Sequence, residues 1–345
     1  MSECDIIIPV LDNLELTRNC LESVYANIHT PFGLILIDNG SAPETKNYLR
    51  EFAASHKNVR LMENAENVGW VKAVNQGLKA SSSRFMCVMN NDTIVRTGDW
   101  ISKLIAVAKS GNDIGLVNPF FQAKRMCPEC DAPFTEIDFC RGYCVLIKRE
   151  VLDKIGLWDE AYGIGYYDDH DYSVAAIRAG FRCVRANDVF VEHLGDSTFC
   201  ALFDDAKRRA LHERNKRYFY SKWGRRLNIV FILARRNNNK SVEDILLALA
   251  RRQHIIYLWN LTGLRLAIKH INIREKVVPP IIFKLLRFIS IRLNGLKRES
   301  KRYDLIFVND GPSALDDTAN VYHVDAGRDA GRIMEIADKA AKVVG

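Results

Sequence analysis

The chain has 345 residues, of which 48% are hydrophobic and 26% charged, and it carries a net charge of +7. That length accommodates two domains and that composition builds a packed core, which excludes a disordered, collagen-like or low-complexity chain. The start, Met1-Ser2-Glu3-Cys4-Asp5, lacks the basic and small-residue pattern of a secretory signal, and no apolar run approaches the roughly 18 residues that span a bilayer.

The expected location is therefore the cytoplasm or the inner face of the cytoplasmic membrane, where cysteines stay reduced. In chain order, Asp5–Val10 is a short continuous apolar run and reads as a buried parallel strand. A helix follows with Leu16, Cys20, Leu21 and Val24 on one face. Strands are expected at Leu34–Ile37, Val59–Met62 and Phe85–Met89, with a helix at Val71–Ala80. A helix over Trp100–Ser110 and a strand at Ile114–Val117 precede a loosened stretch from Asn118 to Phe139. Then come a ribbon Tyr143–Ile147, a helix from Arg149, and a Gly-, Tyr- and Asp-rich segment, Gly163–Asp171, opening a helix that ends at Gly180. Two strands, Arg182–Arg185 and Val189–Val191, lead to a long basic helix over Leu202–Lys222.

The rhythm restarts at Leu227. Strands are expected at Leu227–Ala234, Ile255–Trp259, Asp304–Val308 and Val321–Val324, with helices at Val242–Arg251 and Arg328–Lys342. This gives a fold class of α/β with two domains, residues 1–225 and a smaller Rossmann-like unit at 226–345. In such parallel sheets ligands gather beyond the carboxyl ends of the strands. The polar clusters Asp38-Asn39 and Asn90-Asn91-Asp92 both fall there.

These oxygen-rich turns suit a hard divalent cation and a phosphorylated ligand, although an Asn-Asn-Asp turn is also ordinary turn chemistry. The cluster Asp168-Asp169-His170-Asp171 is denser. Three carboxylates in four residues repel one another, which raises one pKa and makes a general base; an acidic helix N-terminus is the other reading.

Taken in order, the motifs resemble family 2 glycosyltransferases of the GT-A fold, the group of rhamnosyl- and galactofuranosyl-type transferases. They are Ile8-Pro9-Val10 with Asp12-Asn13, Ile37-Asp38-Asn39-Gly40-Ser41, and Glu66-Asn67-Val68-Gly69-Trp70 continuing through Ala73, Asn75 and Gly77. Met89-Asn90-Asn91-Asp92-Thr93, Arg141-Gly142, Lys148-Arg149-Glu150, Gly156-Leu157-Trp158-Asp159-Glu160, Asp168-Asp169-His170-Asp171 and Val191-Glu192-His193 complete the series. The resemblance covers about Asp5 to Gly224.

It implies an inverting transfer of sugar from a UDP- or dTDP-sugar to a glycan or lipid-linked hydroxyl, in surface polysaccharide assembly. Pro9, Val10, Asp38, Asn67, Gly69, Lys72, Asn90 and Asn91 would hold the nucleotide-sugar, Asp38 at the nucleobase. Asp92 and His193 would hold Mn²⁺ or Mg²⁺, with Asn90 standing where the family's metal motif has Asp. Asp169 would be the base; Asp168 stands where Glu is usual, so both remain candidates. The unit after Leu227 faintly resembles the N-terminal half-domain of GT-B glycosyltransferases.

Two further signals have competing readings. Cys127, Cys130, Cys140 and Cys144 are either a four-thiolate zinc site or, for the last two, small buried side chains. Residues 281–298 read as a basic amphipathic helix, expected either to pack against core or to lie on anionic lipid as a peripheral membrane contact. No nucleic-acid-binding pattern accompanies this charge, and nothing specifies an oligomeric state. Rival functions are a sugar nucleotidylyltransferase, which would want a Gly-rich loop where Leu11-Asp12-Asn13-Leu14 stands, and a membrane-docked scaffold with a degenerate transferase domain.

Overall fold

The computed structural model describes residues 2–121, 132–195, 204–235, 238–268, 270–277, 303–309 and 320–342. The chain divides into two compact units, Met1–Phe219 and Tyr220–Gly345.

The first unit is built on a mixed nine-stranded sheet in the order β3-β2-β1-β4-β8-β6-β9-β5, with β7 pairing β9 off this path. Its elements are β1 (Cys4–Val10), α1 (Leu14–Ala26), β2 (Gly33–Asp38), α2 (Pro43–Ser55), β3 (Val59–Glu63), α3 (Trp70–Ala80), β4 (Phe85–Met89), β5 (Thr93–Val95) and α4 (Trp100–Lys109). After these come β6 (Ile114–Phe120), β7 (Phe134–Ile137), β8 (Cys144–Lys148), α5 (Arg149–Ile155), α6 (Asp168–Arg178), β9 (Arg182–His193) and α7 (Asp205–Trp223), whose last turn falls beyond Phe219. Strands β1 to β4 run parallel; β8 is antiparallel to both β4 and β6.

Alternation in β1 sets the layers. Ile6, Ile8 and Val10 join one core with Cys20, Leu21 and Val24 of α1 and Trp100, Ile101 and Leu104 of α4. Ile7 points the other way, where its methyl presses on Gly77 of α3, a position with no room for a Cβ. Helices thus cover both faces. The carboxyl ends of β1, β2 and β4 are left open for polar loops.

The chain pattern missed α2, β5, β7 and a strand of the second unit at Ile273–Val277, each short or weakly patterned. It also split β9 in two at Ala186-Asn187-Asp188, which reads as a turn. That tripeptide instead lies within one continuous strand, where the register with β6 shifts between Asn118 and Phe120. Asn187 settles the irregularity: its side chain accepts from Thr135 Oγ1 (3.0 Å) and donates to the Ala132 carbonyl (2.9 Å).

The second unit has β10 (Asn228–Leu233), α8 (Asn239–Arg251), β11 (Ile255–Asn260), β12 (Ile273–Val277), β13 (Leu305–Asn309), β14 (Val321–Val324) and α9 (Ala330–Lys342). Its sheet is wholly parallel in the order β12-β11-β10-β13-β14, a doubly wound Rossmann-like arrangement. Leu227, Ile229, Phe231 and Leu233 pack with α8 and α9, and Val230 and Ile232 form a second cluster with Ile306 and Val308.

Cys140 and Cys144 are buried and meet different neighbours, Cys140 Sγ lying 3.9 Å from the Val184 carbonyl and Cys144 Sγ 3.9 Å from Cys87 Sγ. They do not form one thiolate cluster. Cys127 and Cys130 lie outside the described residues, as does the basic segment 281–298. Among the described residues no helix is long and apolar enough to cross a membrane.

Candidate active site

The loops after β1 and β2 are tied to each other. Asp12 and Asn13 adopt left-handed backbone, with φ of 53° and 54°, conformations that Asx residues tolerate best after glycine. Asp12 Oδ1 accepts from Ala42 N (2.7 Å), and its own N–H donates to Ser41 Oγ (3.0 Å). Asp38, fully buried at the end of β2, splits its two oxygens. Oδ1 accepts from Ser41 N (2.9 Å), closing its own turn, while Oδ2 has no hydrogen-bond partner and the Lys46 ammonium lies 3.6 Å away.

Around this turn runs an amide network that the chain pattern gave no hint of. Asn39 donates to Asn67 Oδ1 (3.0 Å) and accepts from Asn64 Nδ2 (3.1 Å) and Val68 N (3.1 Å), and Asn64 is paired to Gln76. Asn67 Oδ1 also receives Gly69 N at 2.9 Å. Gly69 has φ of +92°, and a Cβ there would stand 3.2 Å from the Gly163 carbonyl. The close approach expected at Gly69 is thus to the protein's own backbone. Val10 is in the core with its carbonyl taken by Asn39 N, Pro9 is buried beside it, and Lys72 is exposed on α3.

The turn after β4 divides its labour residue by residue. Asn91 is structural: its buried amide donates to Thr17 Oγ1 at 2.9 Å, fastening the turn to α1. Asn90 Oδ1 and Asp92 Oδ1 are buried with no hydrogen-bond partner. The antiparallel pairing of β5 with β9 sets His193 opposite Thr93, a hundred positions away in the chain. His193 Nε2 therefore comes to 3.2 Å from Asp92 Oδ1 and 3.4 Å from Asn90 Nδ2, its ring stacked on Tyr143. Among the described residues no group of three or more His, Cys, Asp or Glu side chains gathers as a metal site. Even so, two orphaned oxygens beside an imidazole nitrogen are a donor set that suits a divalent cation, because burying such oxygens unpaired is otherwise costly.

Comparison with known proteins identifies the family. The chain matches the family described as Glycosyl transferase family 2 over residues 5–126 and Glycosyltransferase like family 2 over residues 134–211. This chain belongs to the family 2 glycosyltransferases. It is 26% identical over 203 residues to the glycosyltransferase AglE of Haloferax volcanii, covering 54% of this chain and 66% of that protein. It is 24% identical over 247 residues to an uncharacterized protein, y4gI, of Sinorhizobium fredii, covering 63% of this chain but 27% of that one. The chain thus spans from about a quarter to about two-thirds of the length of these relatives. A mannosyltransferase of Pyrobaculum calidifontis, solved with GDP-Man and Mn²⁺, superposes with a TM-score of 0.52 at 18% identity, over 64% of this chain and 63% of that one. The shared fold is GT-A.

The remaining wall of the candidate site comes from α6. A cavity of about 380 Å³ is lined by Trp70, Asn90, Arg141, Asp168, Asp169 and His193, together with Tyr166, Tyr167, His170 and neighbours. It brings together residues from the metal-binding and the acid–base candidates; Asp38, Asn67 and Lys72 are not part of this wall. Tyr166 and Tyr167 both have left-handed backbone, with φ of 68° and 67°. Such strain persists where surroundings over-determine it. Here Asn215 of α7, fully buried, donates to the carbonyls of Tyr162 (3.0 Å), Gly165 (2.7 Å) and Tyr166 (3.1 Å). The turn it holds delivers Asp168 and Asp169 at the start of α6.

The two carboxyls are pushed apart. Burial, and then the charge of Asp169, hold the Asp168 carboxyl well above its ordinary value. Burial would raise Asp169 as well, but the hydrogen bonds from the His170 side chain and from the Gly142 and His170 N–H groups outweigh it and hold Asp169 low. Asp169 Oδ2 accepts from Gly142 N at 3.0 Å, and Oδ1 from His170 N at 2.8 Å. Burial first, and then the repulsion expected from sequence, therefore raise Asp168, while Asp169 is held low.

Proposed function

We propose that this domain transfers a sugar, with inversion, from a nucleotide diphosphate sugar to a hydroxyl of a glycan or lipid-linked acceptor. The observation that carries the reading is the cavity wall itself, where Asn90 and His193, beside orphaned Asp92, share one space with Asp168 and Asp169. One group is suited to the leaving diphosphate and the other to the incoming hydroxyl, and direct displacement needs both.

On this reading Asp92 and His193, with the Asn90 amide oxygen, hold Mn²⁺ or Mg²⁺, which supplies charge neutralisation to the diphosphate when bound. Asp38 offers Oδ2, which makes no hydrogen bond and is approached by the Lys46 ammonium, to an imide N–H of a pyrimidine base, favouring UDP- or dTDP-sugars. Gly69 and Asn67 support the backbone beneath the nucleotide through the amide network. The ionised Asp169 serves deprotonation of the acceptor hydroxyl, and Trp70, Tyr166 and Tyr167 offer aromatic faces on which a sugar ring stacks. Relatives named for glycan and O-antigen assembly favour a surface-glycan setting. The eleven Lys/Arg between Arg265 and Arg302 favour work at an anionic membrane surface.

Thermal shifts against UDP-, dTDP- and GDP-sugars, each with and without Mn²⁺, test this. One nucleotide class should stabilise the protein only with metal, and Asp92→Ala should abolish the effect. A folded protein that responds to none of them would overturn the reading in favour of a non-catalytic scaffold.

A further inference from the structure

His170 stands in the cavity with no part in the scheme so far. Its Nδ1 lies 3.1 Å from Asp169 Oδ1. An ionised carboxylate can only accept, so this contact requires a proton on Nδ1. In the neutral ring Nε2 is then a bare lone pair, and Nε2 makes no hydrogen bond to any described residue. The ring is held in place: Phe139 stacks on it at 3.6 Å between centroids, Tyr167 lies tilted against it at 5.4 Å and Phe219 meets it edge-on at 6.1 Å. It is still 31% exposed, on the cavity side that Asp169 and Arg141 also line. The charged and titratable groups around it are Asp168, Asp169 and Asp171 on α6, Arg141 beside Phe139 and His212 beside Tyr167.

We infer that His170 Nε2, oriented by Asp169, receives the proton of the acceptor hydroxyl. The inference rests on the transferase reading and changes which atom does the acid–base work. Both Asp169 oxygens are already engaged, Oδ2 by the Gly142 N–H and Oδ1 by two donors from His170. A carboxylate so satisfied is a weak base, and burial and the charge of Asp169 hold the Asp168 carboxyl well above its ordinary value, toward the protonated form. An imidazole backed by a carboxylate is a better acceptor near neutral pH. In the step, the acceptor O–H proton passes to Nε2 and the O–H electron pair forms the new bond to the anomeric carbon. The bond from that carbon to the phosphate oxygen breaks, its pair leaving with the nucleoside diphosphate. The imidazolium is stabilised by Asp169 and returns its proton to solvent.

The test combines a structural readout with a rate. Long-range ¹H–¹⁵N correlation spectra of the ¹⁵N-labelled full chain should show His170 in the Nδ1–H tautomer, and Asp169→Asn should shift it toward Nε2–H. His170→Gln should keep the Mn²⁺-dependent thermal shift with UDP. It should lose about 100-fold or more in UDP release from the UDP-sugar that binds, water serving as acceptor. A His170→Gln variant within about threefold of the parent, or a wild-type ring protonated at Nε2, would overturn the inference and return the base to Asp169. Absence of any nucleotide response in the parent removes the transferase reading and the proton-acceptor role with it, while the tautomer still decides whether Asp169 orients the ring.

Discussion

At the scale of single residues, the site is a set of unequal neighbours. In Asn90-Asn91-Asp92 one side chain fastens the turn and the two flanking it leave buried oxygens unmatched. The same inequality at Asp168 and Asp169 has a measurable pH signature. A carboxyl whose folded-state pKa is raised contributes stability that is present below its unfolded value, near 3.8, and lost as pH rises through the folded value. Asp168→Asn removes that loss, so the variant should melt higher than the parent at pH 7 and no higher below pH 3.8. Asp169 runs oppositely: its low folded value gives stability above 3.8 that fades as pH falls through it. Gly69→Ala places a side chain at φ +92° against the Gly163 carbonyl, and should cost about 1–3 kcal/mol by denaturant melts.

At the scale of elements, sequence patterning and structure part where a polar group acts through tertiary contacts. Continuous apolar runs reveal β1, β2 and β4, because strands covered on both faces need them, and the polar turns at their ends follow. The pairing of Asp92 with His193 was legible from motif resemblance alone, since no local pattern links residues a hundred positions apart. Asn215 was not legible. It sits in the heavily charged helix α7, where Asn215 and Phe219 are the buried pair, four residues apart on one face. That spacing was the available signal, and the surrounding charge masked it. His170 was read only as part of an acidic run, because its role depends on which oxygen of Asp169 faces it. Asn215→Ala removes the side-chain amide that the carbonyls of Tyr162, Gly165 and Tyr166 share and releases the two strained tyrosines. It should cost about 2 kcal/mol or more and reduce transfer more than nucleotide binding, measured by chemical denaturation and by thermal shift with UDP and Mn²⁺.

At the scale of the whole molecule, two separate cores predict two separable stabilities. Phe231 is fully buried in the second unit's sheet, and Phe231→Ala should cost about 3–5 kcal/mol there. Differential scanning calorimetry should show one transition moving while the nucleotide-dependent transition stays in place; movement of both together would mean the units unfold as one.

Asn215 also bears on how the chain may be divided. The residues that match the family end at 211, about one helical turn before Asn215. A chain trimmed at that boundary would retain every motif by which the family is recognised, including Asp92, Asp169 and His193. It would lack the amide that holds Tyr166 and Tyr167 in place. Such a fragment would look complete to any sequence comparison and still present its acid–base turn unanchored, so a negative activity result from it would speak to the cut and not to the enzyme.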